Sequence, residues 1–510
     1  MAAYYSIRMR KFGDRNNMKK REYDAIVVGS GPNGFAAAIT LQRAGLSVLL
    51  IEGKDTIGGG MRTAELTLPG FHHDICSAIH PLAIASPFFK SLPLDAHGLK
   101  FVEPIHAAAH PFDDGTAAIL NRSISETAES LLDDGPGYAA WISRLSEIWP
   151  SIDNDVLGPF GIPKNIASFT SFGLHAILPA TQLASRFKGE RAKGLWAGMA
   201  GHALQPLSNI ASSGIGLVLL IAGHLYNWPM ALGGSQRIAH ALESYFESLG
   251  GEIVTGFTVK SLADLPPAKS VLFDVTPKQL LKIAGEEFGK LYTWRMNRFR
   301  YGMGVFKIDW ALREPIPFTS DECRKSGTLH LGNTLNEIAD SEWNTAKGRH
   351  ADKPFVLLSQ PTVFDTTRAP EGKHTAWAYC HVPNGSTKDM TSQIEDQVER
   401  FAPGFKDTII ERSTMNTAAF ERYNPNYIGG DINGGVIDIT QLFTRPILQR
   451  SPYRTAKRGI YLCSSSTPPG GGVHGMCGLN AAQAALRDIF GIKSNALQEA
   501  GKIISPRLYR

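Results

Sequence analysis

Residues 24–52 constrain this chain more than any other segment. Asp24-Ala25-Ile26-Val27-Val28 reads as a buried parallel strand. It runs straight into Gly29-Ser30-Gly31-Pro32-Asn33-Gly34, and the small-residue run Phe35–Ala44 then predicts a closely packed helix that Gly45 closes. Ser47–Ile51 reads as a second strand, with Glu52 at its carboxyl end, 23 residues after Gly29. Each part has a physical reason. Gly29 permits a tight turn, Gly31 lets the backbone approach a pyrophosphate, and Gly34 lets helix and strand lie close together. The helix N-terminus then faces phosphate, and Glu52 accepts hydrogen bonds from a ribose diol. Strand, turn, helix, strand and acid in this order predict a dinucleotide-binding unit.

The residues after Glu52 narrow the choice of dinucleotide. Gly53 and Lys54 come first, then Gly58-Gly59-Gly60, Met61, Arg62 and Thr63. A glycine cluster directly after the second strand brings backbone amides to a second part of a cofactor. Near the other end, Gly459–Cys463 reads as a strand. It leads through Ser464, Ser465 and a glycine-rich loop to Gly475 and Met476, and Leu479–Phe490 then reads as a helix. Gly470, Gly472 and Gly475 repeat the GxGxxG spacing, but only 35 residues follow Gly475 and no second strand ending in an acid is among them. This is a loop and helix N-terminus rather than a second nucleotide fold.

Both segments resemble FAD-binding motifs of the glutathione-reductase-like flavoproteins, in particular the phytoene desaturase-like and amine oxidase group. The likeness is nearest to the subgroup of pyridine nucleotide-disulfide oxidoreductase domain-containing protein 2. It runs from about Tyr23 to Phe490 and includes Gln360–Thr362, Trp377–Pro383 and Asn424–Asp431. The resemblance implies a noncovalent FAD. Gly29, Gly31, Pro32, Asn33 and Gly34 would form the pyrophosphate turn, with Glu52, Gly53 and Lys54 at the adenosine ribose. Gly59, Gly60, Met61 and Arg62 would lie beside the pyrophosphate, although many members carry their arginine two places earlier. Val259, late in a strand read over Glu252–Val259, would pack by the adenine. Ser464 and Ser465 would lie near the ribitol, and Gly475 and Met476 at the isoalloxazine. Lys307, alone in the strand-like run Tyr301–Trp310, resembles the amine oxidase lysine that holds a water against flavin N5; the other reading is a strand-edge lysine in solvent. His474 is the favoured acid/base histidine because its loop would meet the ring, ahead of His330, His374 and His381.

Composition removes several other classes. A chain of 510 residues with 43% hydrophobic and 19% charged residues can sustain a sizeable core. A net charge of +5 gives no ground for a nucleic-acid partner. The five cysteines form no CxxC pair, so neither a disulfide framework nor a structural zinc site is expected, and a reducing, cytoplasmic setting fits. No metal site is expected either, since the adjacent His72 and His73 point apart on a strand. Seven Lys/Arg crowd the first 21 residues without an apolar stretch behind them. They read as a flexible basic leader, a mitochondrial presequence being the alternative and contact with an anionic membrane surface a further role. Gly194–Gln236 contains no Asp, Glu, Lys or Arg across 43 residues. It reads as buried helices, or as the lining of a lipophilic cavity or a surface dipping into a membrane.

The expected architecture is therefore α/β, with a discontinuous, Rossmann-type FAD-binding domain (23–85, 225–290 and 455–492) and a sheet-plus-helix substrate domain (86–224 and 291–454), preceded by the leader 1–22. The expected function is an FAD-dependent oxidoreductase of desaturase, dehydrogenase or isomerase type. Its substrate would be a hydrophobic, polyene-like small molecule and its acceptor oxygen or a quinone. An amine oxidase using Lys307 is the second reading, and a non-catalytic flavoprotein with a protein-interaction role the third.

Overall fold

The structure, a computed structural model, describes residues 21–159, 161–442 and 444–492. The expected leader lies outside them except for Arg21 and Glu22. Five parallel strands form the first sheet, in the order Ile460–Leu462, Ala268–Phe273, Tyr23–Val28, Val48–Ile51 and Glu252–Val254. Ala25, Ile26, Val27, Leu49, Leu50 and Ile51 are wholly buried, as a parallel sheet covered on both faces requires. Helix Pro32–Arg43 packs on one face against helices Gln236–Ser248 and Met476–Ile489. Leu280 and Ala284 of helix Pro277–Ala284 cover the other.

The packing around helix Pro32–Arg43 depends on two glycines. A Cβ on Gly34 would overlap the carbonyl oxygen of Gly29, and one on Gly478 would overlap that of Asn33. The two glycine-rich motifs, more than 400 residues apart in sequence, thus meet on one helical turn. The strand read over Glu252–Val259 stops at Val254. Gly256 turns the chain at φ +69, and Phe257 N–H then bonds to Glu52 O at 2.9 Å, so Val259 is delivered by a loop.

The second sheet has seven strands, ordered Ile409–Met415, Gly304–Leu312, His374–Val382, Val356–Ser359, Ser326–Leu331, His106–Pro111 and Ala117–Leu120. Its two faces differ in chemistry. Phe306, Ile308, Trp310, Leu329, Leu358 and Ala378 pack one way, into a separate apolar core. The alternate residues form the other face. Lys307 and Asp309 lie opposite Tyr379 and Trp377, and Thr328 and His330 lie opposite Ser359 and Leu357. Directly opposed residues share a face, so this side carries Lys, Asp, His, Thr, Tyr and Trp, all buried except the half-buried Tyr379.

The charge-free stretch supplies helix Ser213–Tyr226 and most of Glu190–Gly201, which cover that polar face. Gly194, Gly198 and Gly201 leave room there for the rings of His110, His330 and Phe355. A buried ion pair ties strand His72–Asp74, which pairs with Thr63–Glu65 outside both sheets, to the turn Thr366–Arg368. Asp74 accepts hydrogen bonds from Thr63 Oγ1 (2.7 Å), Ser235 N–H (2.8 Å) and Arg368 Nη2 (2.8 Å). Burial alone would raise the Asp74 carboxyl; Arg368, Thr63 and Ser235 override it and hold it below the usual carboxylate range. Its contribution to stability is present at neutral pH and is lost as the pH falls below about 4. Arg368→Met is expected to destabilise the protein by about 3–5 kcal/mol, since it strands a buried carboxylate. The double variant Asp74→Asn/Arg368→Met should recover much of that loss in urea unfolding; equal losses in both would place the cost elsewhere.

Candidate functional site

The site begins where strand Tyr23–Val28 ends. Gly29 adopts φ +104 and its N–H bonds to Ile51 O at 2.7 Å, which folds the loop over the sheet edge. Glu52 is fixed by donors: Ser30 N–H at 3.1 Å, Ser30 Oγ at 2.5 Å, Lys54 N–H at 2.9 Å and the Arg62 guanidinium at 3.2 Å. Gly59 lies against Gly31, where an added Cβ would come within 2.8 Å of the Gly31 Cα. The two glycine clusters read separately in the sequence therefore form one cradle. Arg62 also donates to Thr56 O at 2.7 Å and lies 5.8 Å from the Tyr423 ring centroid.

Asp274 completes the cradle. It follows strand Ala268–Phe273, and its Oδ2 accepts from Gly34 N–H at 3.0 Å, at the N-terminus of helix Pro32–Arg43. Burial, with Glu52 nearby, pushes its carboxyl up to about 7. Sequence reading missed it. The signal was present, since Leu272-Phe273-Asp274 repeats the pattern of apolar strand and terminal acid that exposed Glu52.

One cavity of about 550 Å³ continues from this cradle to the polar face of the second sheet. Of the residues expected to bind cofactor, Gly29, Gly31, Pro32, Asn33, Glu52, Gly53 and Lys54 line it, as do Gly59, Gly60, Arg62, Val259, Ser464 and Ser465. At its far end the sheet contributes Thr328, Leu357, Trp377 and Tyr379, and the helical layer His202, Leu204 and Trp228. Tyr423, Tyr427, Asn433 and Gly434 close the side. The charged residues among the lining are Glu52, Lys54, Arg62 and Asp274, all at the cradle end. Tyr427 is held protonated by burial, which raises its hydroxyl far above the ordinary value.

Six expected site residues lie elsewhere. Gly34 serves packing, as described. Met61 points into the core, wholly buried. Gly475 and Met476 sit behind the loop wall that Gly472 and Val473 present to the cavity, with Gly475 against Phe88 and Ala36. His474 is committed to its own loop. Its Nδ1 accepts from Met476 N–H at 3.0 Å, and its Nε2 is 3.1 Å from Gly470 O, so both ring nitrogens are engaged and the neutral ring acts as a brace. Burial lowers it to about 4. Lys307 is neither a solvent lysine nor a cavity residue. It is buried in an ion pair with Asp309, 5.8 Å from the Trp377 ring centroid, so the indole rather than the ammonium meets the cavity.

The residues present fit an elongated dinucleotide. The cradle is free of Cβ atoms at Gly29, Gly31 and Gly59, and Asn33 Oδ1 is buried beside Ser465 without a hydrogen-bond partner among the described residues. No group of three or more His, Cys, Asp or Glu able to hold a metal occurs among the described residues.

Comparison with known proteins agrees with this geometry. Residues 27–90 match the family model of the NAD(P)-binding Rossmann-like domain. The mouse pyridine nucleotide-disulfide oxidoreductase domain-containing protein 2 is 28% identical, over 93% of this chain and 95% of its own. A lycopene-forming phytoene desaturase from Paracoccus sp. is 22% identical, over 90% and 96%. Putrescine oxidase bound to putrescine superposes with a TM-score of 0.60 at 16% identity, covering 92% of this chain and 100% of that one. With relatives and fold that extend over nine-tenths of its length, the chain is an oxidoreductase related to the phytoene desaturase-like proteins and built on the fold of the amine oxidases.

Proposed function

We propose that the protein binds FAD noncovalently along this cavity and oxidises or isomerises a hydrophobic, polyene-like small molecule, with oxygen or a quinone as acceptor. The distribution of charge along the cavity carries this reading. All four charged lining residues lie at the cradle end, and the sheet end is walled by aromatic, aliphatic and neutral polar side chains. A dinucleotide suits the first end and an uncharged lipophile the second. Gly29–Asn33, Glu52 and Val259 would hold the adenosine and pyrophosphate, and Ser464 and Ser465 the ribityl part. When bound, FAD supplies a two-electron acceptor for hydride leaving a substrate C–H bond. The protein's own task is to exclude water and set the substrate against Trp377 and Tyr379.

Amine oxidation is favoured less. Lys307 stands behind Trp377. Trp377 and Tyr379 stack on each other, with centroids 5.9 Å apart and planes 9° from parallel, rather than facing across a substrate gap.

The relative named for phytoene supports a lipophilic substrate, and the surface offers a route for one. Helix Ile166–Ala176 buries only Phe172. Ile162, Ile166, Leu174, Ile177 and Ile210 are exposed, Ile162 to 91%. No acid occurs between Asp155 and Glu190, while Lys164, Arg186 and Lys188 do. An exposed apolar helix face flanked by cations suits peripheral docking on an anionic bilayer. Among the described residues no helix is long and apolar enough to cross a membrane.

Three outcomes test this reading. The purified protein should show flavin absorbance that acid precipitation moves into the supernatant, and anaerobic bleaching by terpenoids or polyenes but not by primary amines; a colourless protein that refuses added FAD would sink the proposal. FAD affinity should be highest below about pH 7 and weaken above it, because ionised Asp274 repels the pyrophosphate. Asp274→Asn should flatten that dependence and tighten binding at about pH 8, as read by flavin fluorescence; an unchanged profile would remove Asp274 from the cradle. Flotation with phosphatidylserine vesicles should capture the wild type and lose Ile166→Asp/Leu174→Asp at least tenfold; equal capture would reject the docking face.

A further inference from the structure

The helical layer over the polar face of the second sheet brings a histidine to the cavity. His202 follows helix Glu190–Gly201 and lines the cavity beside Leu204 and Trp228. Its Nε2 lies 2.9 Å from Nε2 of His330, on strand Ser326–Leu331. Its Nδ1 has no hydrogen-bond partner among the described residues. His330 is wholly buried, its ring seated in the space that Gly198 leaves open, and its Nδ1 has no partner among the described residues. The other titratable groups near the pair are His110 and His381. His110 Nε2 is 2.6 Å from Asn333 O, and His381 Nδ1 is 2.8 Å from Glu342 Oε2.

Two imidazole nitrogens at this distance share one proton, because an N–H must face a lone pair. Two arrangements satisfy the contact. If His202 Nε2–H donates, His202 Nδ1 is a bare lone pair and the ring is a base. If His330 Nε2–H donates, His202 carries its proton on Nδ1 and the ring is an acid. A proton taken at His202 Nδ1 turns the ring of the first arrangement into an imidazolium whose Nε2–H still donates to His330 Nε2, while the His330 proton stays on its own Nδ1. A second ring thus fixes the tautomer of the first.

We propose that His202 is the proton-transferring catalytic residue of this cavity, resting with Nδ1 unprotonated, and that His330 is its positioning residue. The proposal rests on the reading of the site as an FAD oxidoreductase. In the step it serves, one substrate carbon loses hydride to the flavin and its neighbour loses a proton to His202 Nδ1. The electron pair of the second C–H bond becomes the new double bond. The proton returns to solvent as product leaves. Burial, with His381 in range, holds His202 down to about 3, so the resting ring is neutral.

Nitrogen-15 spectra of the FAD-loaded protein labelled at histidine test the pair without turnover. Expected are a coupling between the two Nε2 atoms through the shared proton and a His202 Nδ1 signal typical of a bare imidazole nitrogen. A proton on His202 Nδ1, or two rings without coupling, would overturn the proposal. With a substrate found to bleach the flavin, His202→Gln should slow bleaching about 100-fold or more with FAD content unchanged; bleaching at the wild-type rate would overturn it. His330→Gln should abolish the coupling and let a proton appear on His202 Nδ1, whereas a purely structural role would lower thermal stability and leave the His202 Nδ1 signal in place. Should no compound bleach the wild type, the oxidoreductase reading fails, and the nitrogen spectra still decide the pair.

Discussion

The first turn of helix Pro32–Arg43 is pinned between two backbones. Gly34 sits on the carbonyl of Gly29, and Gly478 sits on the carbonyl of Asn33. No side chain fits at either contact, so the N-terminal turn and the C-terminal loop hold one fixed relation. The rest of the site is referenced to that contact. It sets Gly31 against Gly59, aims the helix N-terminus along the cradle and puts Ser464 and Ser465 on the wall beside Asn33.

A second constraint shapes the other half of the cavity. Strand alternation gives the seven-stranded sheet one apolar face and one polar face, and the fold buries both. Buried polar groups need partners, and several on this face are found in pairs: Lys307 with Asp309, His381 with Glu342, and His330 with His202 of the helical layer. Such pairing makes a poor source of net stability, because desolvation offsets much of each attraction. It does leave a floor on which Trp377 and Tyr379 reach the cavity, near His202 of the helical layer, while Lys307 and Asp309 do not line it.

That division explains what was legible beforehand. The strand–turn–helix–strand unit around Gly29 and the loop at Ser464 could be read because backbone geometry dictates their residues locally. Lys307 and His474 could not be placed, because their surroundings come from distant segments. A lysine in an apolar strand looks the same from the sequence whether it faces a flavin or an aspartate two residues on. The commitment of His474 depends on how its own loop folds back, with Met476 N–H turned onto Nδ1. Asp274 had a readable local pattern, whereas His202 gains meaning only when strand Ser326–Leu331 brings His330 beneath it.

The central claim is that one ligand runs from the glycine cradle to the aromatic floor of the second sheet. A crystal structure of the protein grown with FAD tests it most directly. The account predicts density for an adenosine beside Glu52 and Val259, a pyrophosphate over Gly31, and a flavin ring between the Ser465–Val473 wall and Trp377. A ring system lying outside that cavity, or a nicotinamide dinucleotide that ends short of the second sheet, would contradict it.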